Sequence, residues 1–155
     1  MSWFPMYIDL KGNNCTIFGG SPSAAAYAES LLGFGAKVTV VSASLCDELA
    51  AMDRAGTVRY IPRRYFRGDC SSSYICIAAT GDDVLNIAIS DECKARAISV
   101  CVESPPAYGT FRFPVALTDG EVTLSAACGT DDEPDHGRLT DVLRRAIDEI
   151  TAANS

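Results

Sequence analysis

The chain has 155 residues, 48% of them hydrophobic, and a formal net charge of −7, which suits one globular domain (1–155) with a real core. The acidic balance argues against a nucleic-acid partner, since affinity for phosphate backbones rests on clustered Lys and Arg. No apolar run reaches membrane-spanning length and the start, MSWFPMYIDLKGNN, has neither a basic n-region nor an apolar h-region, so a cytoplasmic protein without membrane contact is expected.

In chain order, residues 14–18 (NCTIF) read as a strand and 22–34 as a helix with Pro22 in its first turn. Gly35-Ala36 closes the turn into a second strand, 37–42 (KVTVVS), whose lack of alternation marks it as buried on both faces. A short amphipathic helix over 45–55 ends at Gly56, and a third strand covers 57–61. After the Arg-rich stretch PRRYFRGDC come a strand over 74–79, a helix capped by Asp82 or Asp83 and running to about Arg96, and a strand over 98–102. This alternation predicts an α/β fold, a Rossmann-like parallel sheet with right-handed crossover helices. Past Pro105-Pro106 the rhythm changes to a β-hairpin about Asp119-Gly120 and an amphipathic C-terminal helix from about Gly137 to Ala152.

Seven cysteines show no CxxC pair and no metal-like spacing. Cys15, Cys76 and Cys101 fall in strand-like apolar runs, so reduced, structural thiols are expected and no metal site is assigned. His136, the only histidine, sits beside an acidic run, Asp131-Asp132-Glu133-Pro134-Asp135. The histidine is read as decorating the closing helix and the run as a flexible acidic loop.

The first strand-to-helix turn reads Gly19, Gly20, Ser21, Pro22, Ser23, Ala24. In a dinucleotide-binding βαβ unit, G-x-G-x-x-G/A provides a tight turn, close backbone approach to the pyrophosphate and close packing of helix on strand. Gly19 and Ala24 meet the first and third needs, whereas Ser21 carries a side chain where the second requires glycine. Two readings stay open. Either the Ser21 and Ser23 hydroxyls and the helix N-terminus hold phosphate, or the turn is only a sharp connection. The second strand ends in Ser42 with no acidic residue to anchor a ribose.

Several stretches together carry a resemblance. FPMYIDLKG, the turn after CTIFGG, GAKVTVVSASL, the block from Ile77-Ala78-Ala79-Thr80 through Asp82 to Asn86, and FRFPVALTDGEVTLS resemble the precorrin-2 dehydrogenase family, including the N-terminal part of siroheme synthase. The resemblance spans roughly residues 4–150. It implies a Rossmann-like domain with a dimerisation extension over about 105–155, hence a homodimer. It also implies NAD as cofactor, held at Gly19–Ala24, Ser42 and around Ala79, Thr80 and Asp82, with a tetrapyrrole substrate, precorrin-2, oxidised to sirohydrochlorin. Some members of that family also insert iron.

Three departures qualify the match. Ser21 replaces a glycine, and the family's Ser-x-Gly-Gly appears as Ala127-Cys128-Gly129-Thr130. The family aspartate after the fifth strand falls on Ser104 in ungapped alignment, or on Glu103 after a one-residue shift. Glu103 suits a general base and Ser104 does not. The loss puts iron insertion in doubt. Arg63, Arg64 and Arg67, interleaved with two aromatics, and Arg112 are candidates to hold substrate carboxylates, although such a cluster is more often an ordinary solvated face. A catalytically degenerate binding module is the alternative to an enzyme.

Overall fold

A computed structural model describes residues 3–120, 122–127 and 135–153, so the acidic run over 131–134 and most of the Ala127–Thr130 stretch lie outside it. The described residues form two compact units, one over Phe4–Phe111 and one from Arg112 onward together with Trp3.

The larger unit alternates β1 (Asn14–Phe18), α1 (Pro22–Gly33), β2 (Lys37–Val41), α2 (Asp47–Arg54), β3 (Val58–Ile61), β4 (Ile75–Ala78), α3 (Asp83–Ala95) and β5 (Ser99–Val102). All neighbouring strands are parallel, in the order β3-β2-β1-β4-β5. The chain therefore winds outward from β1 to one edge, crosses back over residues 62–74, and winds to the other. That crossing places a topological switch between β1 and β4.

Strand alternation divides the core. Phe18, Val41, Cys76, Ala78, Val100 and Val102 face the side covered by Ile89 and Cys93 of α3 and by Cys70 of the crossing segment. Cys15, Ile17, Val38 and Val40 point the other way, and all are at most 4% exposed. Helix ends follow sequence rules: Asp82 Oδ1 accepts from the Val84 and Leu85 amides at the start of α3, and Gly35 and Gly56 take positive φ just past α1 and α2. Helix α2 begins two residues later than its pattern predicts because Cys46 is still extended.

In the smaller unit, β6 (Val115–Asp119) pairs antiparallel with β7 (Val122–Ala126), and Asp119 opposite Val122 leaves a two-residue connection beginning at Gly120. Helix α4 (His136–Ala153) packs on both strands. Asp135 Oδ1 accepts from the Arg138 amide, so Asp135 caps this helix and His136 is simply its first residue.

Candidate functional site

The turn after β1 is shaped by backbone crowding on both sides. A Cβ added at Gly19, whose φ is +136°, would lie 1.9 Å from the Ala79 carbonyl oxygen. One added at Gly20 would lie 1.9 Å from the Ser44 carbonyl oxygen and 2.8 Å from Ser42 Oγ. Main-chain bonds fasten the turn: Gly19 N to the Val41 carbonyl at 3.1 Å, Ala79 N to that of Phe18 at 2.8 Å, and Cys46 N to that of Gly20 at 2.7 Å. Glycine is required here to let three strand ends converge.

Ser21 then caps α1, its Oγ accepting from the Ala24 amide at 3.3 Å, with Pro22 in the first turn. The Ser21 and Ser23 hydroxyls lie 2.8 Å apart and exposed at the helix start. Ala24 is fully buried, the close helix-on-strand packing expected of it. The Ser21 side chain thus turns back onto its own helix.

Beyond β4, Asn86 organises the other wall. It is fully buried; its Oδ1 accepts from the Thr80 amide at 3.1 Å and from Thr80 Oγ1 at 2.7 Å, while its Nδ2 donates to the Ser104 carbonyl at 2.9 Å. One amide side chain therefore ties the loop after β4 to the loop after β5 and leaves no polar head unpaired.

Between these walls lies a crevice of about 230 Å³, lined by Gly19, Ser42, Ala43, Ser44, Arg64, Tyr65, Thr80 and Asp82 with Val41 and Leu85. It sits at the carboxyl ends of β1, β2 and β4, at the switch point, where open α/β sheets take their ligands. Gly19, Ser42, Thr80, Asp82 and Arg64 come together as lining residues. Gly20, Ser21, Pro22, Ser23 and Ala24 form the adjoining turn and helix start, and Ala79 backs Gly19.

Tyr65, one of the two aromatics of the arginine cluster, is also a lining residue. Its ring meets Phe18 edge-on at 5.3 Å, and its hydroxyl donates to Glu92. Burial, then the neighbouring carboxylate, pushes the phenol pKa well above its usual range, so it stays protonated. Glu92, 8% exposed, also accepts from the Gly68 amide at 2.8 Å and from Arg96 Nε at 2.9 Å. This buried carboxylate has enough partners to offset its desolvation, and it holds the 65–68 stretch against α3.

The other candidates are dispersed. Both Arg63 Nη atoms reach the Asp69 carboxylate, at 2.7 and 2.9 Å, so this guanidinium closes its own loop. Arg67 is exposed. Arg112 belongs to the smaller unit, its guanidinium 5.0 Å from the centre of the Trp3 ring. Glu103 is half-buried just past β5, its amide bonded to the Ala78 carbonyl at 2.9 Å, and Ser104 is exposed before a cis peptide to Pro105. Neither lines the crevice.

Residues 6–115 match a protein family described as "Putative NAD(P)-binding". The chain belongs to this NAD(P)-binding family. The resemblance read from the sequence is borne out by curated relatives. Siroheme synthase of Thioalkalivibrio sulfidiphilus is 33% identical over 129 residues, 83% of this chain and 26% of that protein. Siroheme synthase of Azotobacter vinelandii is 32% identical over 139 residues, 90% of this chain and 30% of that protein. The chain thus spans under a third of the length of these relatives. Among solved structures, SirC, precorrin-2 dehydrogenase, superposes with a TM-score of 0.68 at 22% identity, covering 99% of this chain and 71% of that one. This likeness establishes the shared Rossmann-like fold, and the family match makes a nicotinamide dinucleotide the cofactor class. Among the described residues no helix is long and apolar enough to cross a membrane.

Proposed function

We propose that this chain binds NAD in the switch-point crevice and uses it to oxidise precorrin-2 to sirohydrochlorin, a step of siroheme synthesis. The observation that carries the reading is the crevice at the switch point of the parallel sheet, with Gly19 of the turn after β1 in its lining. Siroheme synthases among the relatives and the fold of SirC, precorrin-2 dehydrogenase, support the substrate.

Bound NAD supplies the hydride acceptor. The chain's residues hold and orient it. Gly19 and Gly20 admit the pyrophosphate to the backbone. Pro22 has no amide hydrogen and the Ala24 amide is capped, so the Ser21 and Ser23 hydroxyls at the positive end of α1 take over phosphate binding. Ser42, in place of an acidic residue, meets the ribose. Thr80 and Asp82, fixed through Asn86, border the nicotinamide side.

As the substrate carbon loses hydride, a proton must leave as well, and Glu103, beside the β4 end, is the carboxylate proposed to take it. Ser104 marks the family's aspartate position without an ionisable group, so iron insertion is left out of the proposal. Arg64 and Arg67 are the proposed partners of the substrate's carboxylates; Arg63 serves through the loop it closes with Asp69.

Residues 105–155 are proposed as a dimerisation extension forming a homodimer. A two-stranded hairpin is marginal alone, and Ile147 is the one buried hydrophobic side chain among the described residues of this unit. The six described cysteines are all free, which supports placing the protein in the reducing cytoplasm.

The test is anaerobic turnover of precorrin-2 with NAD by the full chain. One reduced nicotinamide is expected per sirohydrochlorin formed. A second reading, a degenerate binding module, is favoured by Ser104 at the aspartate position and by Glu103 standing outside the crevice lining. Dinucleotide binding without turnover would overturn the enzyme and leave that module.

A further inference from the structure

Three cysteines far apart in sequence converge behind the crevice. Cys70 comes from the crossing segment, Cys76 from β4 and Cys93 from the last turns of α3, and each is 0% exposed. Their Sγ atoms all lie within 4.8 Å of one another, the one such grouping among the described residues. The shell around them is apolar: Phe18, Val41, Ala78, Ile89, Val100 and Val102.

A metal held by three thiolates at about 2.3 Å needs its sulfurs about 4 Å apart in a planar trigonal site. The observed separations reach that with movements of under about one ångström, within the rotamer freedom of the side chains. The donor set selects the ion. Three soft sulfurs favour Cu(I) or Zn(II) over hard cations. Zn(II) asks for a fourth ligand, and this pocket excludes water. The carboxylates adjacent to ligands in sequence are already engaged, Glu92 by Tyr65, Gly68 and Arg96 and Asp69 by Arg63 and Phe66. Cu(I) needs no fourth ligand.

We propose that Cys70, Cys76 and Cys93 form a buried three-sulfur site for Cu(I). Loading takes the ion from a small-molecule carrier and releases one proton for every thiol that becomes thiolate; no electron moves. Because Cys70 shares its segment with Arg64 and Tyr65, the loaded ion fastens one crevice wall to β4 and α3. The spacing along the chain hid the site, since six and seventeen residues separate the ligands and match no short metal motif.

The full chain, reduced and kept anaerobic, is titrated with Cu(I) held by a chromophoric chelator. One Cu(I) should be withdrawn per chain, and Cys76→Ala and Cys93→Ala should each weaken retention at least tenfold, while Cys46→Ala leaves it unchanged. Absorption spectroscopy at the copper edge of the wild-type chain needs no variant and should count three sulfur neighbours. No withdrawal, equal retention by all variants, or copper surrounded by nitrogen and oxygen would overturn the site and leave a packed thiol cluster only.

Discussion

Ser21 sits where a nucleotide-binding turn wants no side chain, yet its hydroxyl satisfies the Ala24 amide. Replacing it by glycine exchanges one good cap for another at a cost of a few tenths of a kcal/mol. Ser21→Gly should therefore leave the melting temperature nearly unchanged and, by removing a proposed phosphate-binding hydroxyl, weaken dinucleotide binding severalfold by calorimetry; tighter binding would show that the side chain only crowds the pyrophosphate. Asn86 is the opposite kind of residue, buried and fully paired. Asn86→Ala strands the Thr80 amide and the Ser104 carbonyl, and should cost about 2–3 kcal/mol in chemical denaturation. The glycines and Asn86 were legible in the sequence as parts of a motif, but the reason for Gly20 was not. Its constraint is the Ser44 carbonyl, a contact between two loops that no local pattern encodes.

Among the elements, the crossing segment over 62–74 departs most from its reading as a basic surface. Phe66 N and Arg63 both bond the Asp69 carboxylate, and the hydrogen-bonded Arg63 guanidinium holds that carboxyl below its usual pKa. A depressed folded pKa contributes stability that is fully present above the unfolded value of about 4 and is lost as pH falls through the folded value. Asp69→Asn should lower stability by about 1 kcal/mol at neutral pH and flatten the acid limb of the stability profile, as thermal melts across that range would show. Strands and helices were legible to within about two residues, because hydrophobic period, Gly35, Gly56 and Asp82 mark them locally. Ala43, Ser44 and Leu85 were not, and Tyr65 was legible only as an aromatic of the arginine cluster, since these positions gain their place in the crevice only after the sheet has formed. The three-cysteine cluster was hidden for the same reason: one strand, one helix and one loop must meet before it exists.

For the molecule as a whole, the order of the strands puts a crevice at the reversal of the sheet, and the family match gives the chain a nicotinamide dinucleotide as cofactor class. Fold and cofactor class were readable because the βαβ rhythm and the turn motif are sequential. Catalysis was less so, since Glu103 and the arginines of the crossing segment stand on loops. Calorimetric titration of the full chain with NAD, and separately NADP, tests the central claim most directly. Saturable binding of NAD at one per chain and about micromolar strength is expected, with the crowded turn accepting the pyrophosphate. No heat with either dinucleotide from folded protein would contradict it, and the Gly19-Gly20 turn would then be a packing device alone.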